Sequence, residues 1–223
     1  MKKAALSLAI LVSFCLVFGV ACGGNNQASS GILPVWHIGD TWTGRISCNG
    51  TEFTIVNTVT DEQVINGTDC YIILAACTPP FHGVSIATGK VDKATREKID
   101  VRELDIINGV NYSIDTLYNY SGSPYPLSIG KTWTITKNIT TTNLMINQSK
   151  TTNKTNNYVY RVEKVESVTV PAGTFNCFKA VAYDSNNSIR YIQWFTDVAG
   201  VIVKTIDYND KSIEELMSYS LSK

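Results

Sequence analysis

Val168-Thr-Val-Pro-Ala-Gly-Thr-Phe-Asn-Cys-Phe-Lys-Ala-Val-Ala182 decides the fold class. Apolar residues alternate on both sides of Pro171 and Gly173, which predicts strand, tight turn, strand. A weaker copy lies upstream at Gln63-Val-Ile-Asn-Gly-Thr-Asp-Cys-Tyr-Ile-Ile-Leu74. One hairpin unit used twice implies an all-β chain. It does not reveal a reaction.

A second pair of stretches supports the duplication. Ile-Gly-x-Thr-Trp-Thr occurs from Ile38 and again from Ile129. Gly39 and Gly130 are expected to supply turns with positive φ, and Trp42 and Trp133 to start strands and anchor the core. A tryptophan platform for sugar or lipid is the alternative, and the strand pattern around each ring favours the core. Trp42 and Trp133 are 91 residues apart, Gly67 and Gly173 are 106 apart, and Gly109 and Gly200 are again 91 apart. The larger middle spacing falls where a Thr/Asn-rich tract, Thr136–Asn157, enters the second copy. That tract reads as two edge-strand ends around a long exposed loop.

Between these landmarks the chain reads as short strands and turns. Asn49-Gly50, Asn66-Gly67 and Asn108-Gly109 are hairpin signals. Cys77–Gly83 reads as a loop because of Pro79 and Pro80. Lys90–Leu104 reads mostly as strand, with a short helix at Lys93–Lys98 as the alternative. A bulge is expected near Glu163, where the apolar parity changes. The fold expected is a curved antiparallel sheet or half-barrel built from two similar β-meander halves, about 34–123 and 124–223, with little helix outside the N-terminal segment.

That N-terminal segment is a targeting signal. Lys2 and Lys3 precede an apolar run from Ala4 to Val20, and Ala21-Cys22-Gly23-Gly24 follows. Residues 1–21 read as a signal peptide, 22–33 as a lipidated tether and 34–223 as a single β domain. Val20-Ala21-Cys22 resembles the cleavage site of bacterial lipoproteins, although Gly19 stands where Leu is usual. The resemblance implies that Cys22 becomes the mature N-terminus and carries lipid. An ordinary cleaved signal is the alternative.

The mature part holds about 200 residues, enough for a real core. The full chain is neutral, with 19 Lys and Arg against 19 Asp and Glu, and has no basic patch. Nucleic acid is therefore not an expected partner. Cys48, Cys70, Cys77 and Cys177 could form up to two disulfides in an exported protein, or pack as reduced thiols. Their spacing does not suit zinc, and no metal or cofactor is expected. With only His37 and His82 available, and no nucleophile elbow or phosphate loop, a catalytic constellation is not visible. Carboxylates such as Glu214-Glu215 or Asp105 leave one enzymatic alternative, an envelope glycan hydrolase using an acid pair.

Pro-Leu-Ser-Ile-Gly-Lys-Thr-Trp133, Val-Pro-Ala-Gly-Thr-Phe-Asn-Cys177 and Trp194 followed by Gly200-Val201 form a series. The series resembles a broad group of bacterial envelope proteins, many of them lipoproteins, known mainly as domains of unknown function. The resemblance covers most of residues 124–208. It implies a curved antiparallel sheet, similar in outline to the half-barrels of outer-membrane lipoprotein carriers, and no agreed catalytic residues. The reading is a lipid-anchored envelope protein, exported and held on the cell surface or facing the periplasm. It would act as a non-enzymatic binding or scaffold module for an amphipathic ligand or an envelope protein.

Overall fold

The computed structural model describes residues 33, 35–107, 110–144, 152–196 and 201–222. The expected signal peptide, Cys22, the expected tether up to residue 32, and the turns expected at 108–109 and 197–200 lie outside the described residues. Twelve strands follow: β1 Thr41–Cys48, β2 Thr51–Ile65, β3 Thr68–Phe81, β4 Val84–Asp92, β5 Lys98–Ile107, β6 Val110–Ser121, β7 Thr132–Asn143, β8 Thr152–Val170, β9 Gly173–Tyr183, β10 Ile189–Thr196, β11 Val201–Asp207 and β12 Ser212–Ser220. No helix occurs among the described residues.

Alternation makes the strands. In β1, Trp42, Gly44, Ile46 and Cys48 are buried while the residues between them are partly exposed. Two-residue turns set the registers. Asn49-Gly50, Asn66-Gly67 and His82-Gly83 all carry positive φ at both positions, which suits the twist of the flanking strands. The Pro171-Ala172 turn joins Val170 to Gly173 in the same two-residue manner.

Each strand pairs antiparallel with the next, and β12 pairs with β1 from Cys48↔Ser212 to Thr41↔Ser220. The expected curved sheet therefore closes into a complete barrel instead of stopping halfway. Closure removes the edges that β1 and β12 would otherwise expose. The strands divide six and six near the boundary read from sequence. The two Ile-Gly stretches make the same three backbone hydrogen bonds. Gly39 N–H donates to Val59 C=O at 2.8 Å, Asp40 N–H to His37 C=O at 3.0 Å and Val59 N–H to Asp40 C=O at 2.9 Å. Gly130, Lys131 and Val162 repeat this with Val162, Ser128 and Lys131 at 2.9, 3.1 and 2.9 Å. Gly39 and Gly130 have φ of 98° and 84°.

Three local expectations change. Cys77–Gly83 is not a loop: β3 runs through both prolines to Phe81, and its pairing with β4 is interrupted between Ala76 and Phe81, where proline's missing N–H costs nothing. Lys93–Thr95 is a tight turn and not a helix, because the Asp92 carboxylate accepts the N–H groups of Ala94 and Thr95 at 2.7 and 2.9 Å. The Thr/Asn tract is mostly paired strand: β7 and β8 zip from Thr132↔Arg161 to Thr141↔Thr152, while β8 pairs with β9 only from Val159 onward. Its tip, residues 145–151, lies outside the described residues. The bulge expected near Glu163 is present between Val162 and Lys164.

One end of the barrel is plugged. Trp36 packs on Trp42 and Tyr71 at 5.6 and 5.0 Å between ring centroids, and the Arg96 guanidinium lies 4.2 Å over the Trp36 ring. The β8–β9 tip folds across the same end. Ala172 N–H reaches the C=O of Leu216 on β12 at 3.1 Å, and Val168, Ala172 and Phe175 pack on the core. A second cluster around Trp133 and Tyr160, stacked at 5.1 Å, fills the other side of the lumen. Trp42 and Trp133 are both buried, as expected.

The buried Asp40 carboxylate fastens the seam. It accepts the N–H of His37 at 2.8 Å and the N–H of Ser222 at 2.7 Å, tying both ends of the folded chain to the start of β1. Asp40→Ala should lower unfolding stability by about 2–4 kcal/mol by stranding these donors, and Asp40→Asn by less. Urea midpoints would show it. Gly44 is needed for space: a Cβ there would meet Ile55 Cγ2 at 3.0 Å and Glu214 Oε1 at 3.1 Å. Gly44→Val should cost about 1–3 kcal/mol on the same assay.

Candidate functional site: a polar mouth above a buried lysine

The end opposite the plug holds a pocket of about 410 Å³. One wall is the start of β8, Lys154 to Tyr158. The facing wall comes from the β9–β10 and β11–β12 turns and the start of β10, with Asp184, Arg190, Asn209 and Asp210.

The facing wall is pre-ordered. Asp184 Oδ1 accepts the N–H groups of Asn186 and Ser188, both at 2.9 Å. Its Oδ2 lies 2.8 Å from Arg190 Nε and 2.7 Å from Nη2, so one oxygen faces both guanidinium nitrogens, a charge-assisted pair. The turn N–H of Ser188 and then Arg190 hold the Asp184 carboxyl below the usual carboxylate range. Arg190 also donates to Asn209 Oδ1 at 3.3 Å, and Asp207 Oδ1 accepts Asn209 N–H at 2.7 Å. Asp210 is pushed up to about 6, first by burial and then by Asp207.

Tyr158 and Tyr191 form the floor. Their rings meet edge-on at 5.2 Å, and both are buried. Burial raises the ionisation of both phenols, so they stay neutral. Beneath them the Lys137 ammonium lies 5.1 Å from the Tyr158 ring centroid, 5.0 Å from Tyr191 and 5.5 Å from Tyr118. Lys137 is 3% exposed. Burial, then Lys98, lowers its ionisation to about 7, while Asp207 and Glu103 act in the opposite sense. Three ring faces partly replace the lost water.

The residues singled out from sequence fall elsewhere. The Cys48, Cys70 and Cys77 thiols donate to backbone carbonyls of Asp210, Thr68 and Pro79 at 3.3, 3.3 and 3.4 Å. Cys177 is buried in the core. All four are free thiols in this structure. Cys70 and Cys77 stand seven residues apart on one strand, about 23 Å, far beyond disulfide reach. Burial raises the ionisation of Cys48, Cys70 and Cys77, so they are poor nucleophiles. Cys22 lies outside the described residues. No cluster of three or more His, Cys, Asp or Glu suited to a metal occurs among the described residues.

The acid pair is split. Glu214 faces the lumen and is buried, whereas Glu215 faces outward and pairs with Arg45 at 3.1 Å and Lys204 at 2.8 Å. Asp105 and Glu103 occupy alternate inward positions of β5 and are buried. Sequence reasoning missed Lys137. The parity of Trp133, Ile135, Lys137 and Ile139 places it inward, but its Thr/Asn neighbours read as loop.

A family model described as DUF3108-like matches residues 101–221, and the chain belongs to that family. No curated protein sequence matches. Two solved structures are similar. One is a candidate exported protein with YmcC-like fold from Bacteroides fragilis NCTC 9343, 11% identical, covering 84% of this chain and 100% of that chain, with a TM-score of 0.41. The other is a candidate lipoprotein from Parabacteroides distasonis ATCC 8503, 12% identical, covering 83% and 97%, also at 0.41.

Lys137 ionises near 7 in the fold and near 10.5 in the unfolded chain. Between these values the unfolded chain keeps a proton that the folded one releases, so this group's contribution to stability rises with pH across that window. Below it the cost of the buried charge is fully present. Lys137→Met should therefore be more stable than the native protein by about 1–4 kcal/mol at pH 6, with the margin shrinking towards pH 10. Parallel urea titrations would show a pH-independent margin if another group were responsible.

Proposed function

We propose that this member of the DUF3108-like family is an exported, lipid-anchored protein of the cell envelope that acts by binding, with the polar mouth as its seat. The observation that carries this is the contrast between the two barrel ends. One end is plugged by Trp36, Arg96 and the β8–β9 tip, and the other holds the pre-ordered pocket. Trp36, Trp42, Trp133, Tyr158, Tyr160 and Tyr191 pack into the lumen between them. A ligand or partner therefore meets the protein at the mouth and not inside the barrel.

The tether supports the same orientation. Leu33 and Val35 lie beside Tyr71 and Arg96 at the plugged end. An anchor at Cys22 would hold that end towards the membrane and turn the mouth away from it. A glycan hydrolase is the second reading, because Asp184 and Asp210 share the pocket and their ionisations are pushed apart. Asp184 already accepts four donors, which leaves it little capacity as a base or nucleophile.

Cells expressing the native chain and Cys22→Ser would be fractionated. The native protein should sediment with membranes and the variant should not; equal sedimentation would remove the lipid anchor. Native mass spectrometry of the Cys22→Ser protein should then show an adduct that Ser185→Trp, at the exposed rim of the mouth, abolishes. An adduct that survives this substitution would place binding elsewhere. Turnover of envelope glycan by the native protein, lost in Asp210→Asn, would replace binding with hydrolysis.

A further inference from the structure

The walls of the mouth differ in height. β8 begins at Thr152, but its pairing with β9 begins only at Val159↔Tyr183, after which the chain turns away at Asp184. On its other side β8 is paired with β7 from Thr141↔Thr152 onward. Among the described residues, no strand lies against the second edge of Thr152–Tyr158. That edge is seven residues long, ~20 Å of extended chain. Its outward N–H and C=O groups form a template for one more strand.

The groove beside this edge is bounded on its far side as well. Asp184, Ser185, Arg190, Asn209 and Asp210 close its far side. A second copy offering its own β8 would bring β7 behind it, two strands abreast, against that wall. The groove's charges are balanced, Lys154 and Arg190 against Asp184 and Asp210, and Arg190 is already spent on Asp184. The β7–β8 ladder shows what the outer face of β8 accepts: Thr155 Oγ1 donates to Asn138 Oδ1 and Thr140 Oγ1 to Asn153 Oδ1, both at 3.1 Å.

We propose that the mouth binds an extended, weakly charged polypeptide segment of a partner protein, which adds as an antiparallel strand to the open edge of β8 between Thr152 and Tyr158. The guest occupies the position that a longer β9 would fill. Main-chain hydrogen bonds supply most of the affinity, and small polar side chains such as Thr and Asn supply the fit. This rests on the mouth being the binding seat and names its occupant.

The probe is an acetylated peptide Thr-Ile-Thr-Lys-Asn-Ile-Thr-Thr, the sequence of residues 134–141 that pairs with the first edge of β8. It would be added at millimolar concentration to the full exported chain carrying Cys22→Ser, with hydrogen exchange as the readout. Amides of residues 152–158 should exchange about tenfold more slowly. The protection should vanish with a peptide N-methylated at alternate residues, which keeps the side chains and removes main-chain donors. It should also vanish in Ser185→Trp, whose exposed turn position fills the groove without touching the core. Protection that survives N-methylation would overturn strand addition. So would protection by diacetylchitobiose and not by the peptide, although the mouth would then remain a binding seat. If neither probe protects these residues, the seat itself falls.

Discussion

Filling is the constraint on which this structure depends. Barrel diameter grows with strand number, and about eight strands already enclose all that inward side chains fill comfortably. Twelve strands leave a wider lumen, and aliphatic residues alone would leave voids. The chain answers with bulk. Trp36, Trp42, Trp133 and several tyrosines point inward, and two further pieces fold in from one end, the segment before β1 and the tip of β8–β9. The Val-Pro-Ala-Gly-Thr-Phe stretch is therefore more than a turn. Its two-residue tip lets the hairpin bend over the opening and reach β12.

The same width explains the polar interior. Lys137, Glu103, Asp105, Asp207 and Glu214 are all buried inside the wall. A narrow barrel would exclude them, but here they share space with aromatic rings. Lys137 meets three tyrosine faces, and the loss of water moves its proton affinity more than its neighbours restore it. Gly44 shows the same crowding from the other side, where absence of a side chain makes room for Glu214. Polar groups in such a site add less to stability than an apolar filling would. Of these, Lys137 lies directly beneath Tyr158 and Tyr191, the floor of the mouth.

Much of the fold was legible because it rests on local signals. Strand parity around Trp42 and Trp133, the turns at Asn49-Gly50 and Asn66-Gly67 and the repeated Ile-Gly stretch each act over a few residues, and each recurs in the structure as read. Closure was not legible, since the β1–β12 pairing joins Cys48 to Ser212 across nearly the whole chain. The Thr/Asn tract misled because its composition resembles a loop, whereas threonine also suits a paired strand. That one misreading hid both Lys137 and the wall of the mouth. The prolines of β3 misled similarly, because tolerance of a missing N–H depends on where pairing lapses.

The barrel has a direction, because its two ends are closed differently. Hairpins extend beyond the barrel wall at both ends, but to different effect. At one end the β8–β9 tip bends inward and seals the core, with Ala172 bonded to Leu216. At the other the β7–β8 ladder stands above β9 and leaves a strand edge beside a fixed polar wall. An edge of this kind invites unwanted pairing, and native proteins usually cover or charge it. Here only Lys154 charges the lining segment, and Asp184, Arg190, Asn209 and Asp210 stand across the groove from it. This edge stands at the pole opposite Leu33 and Val35.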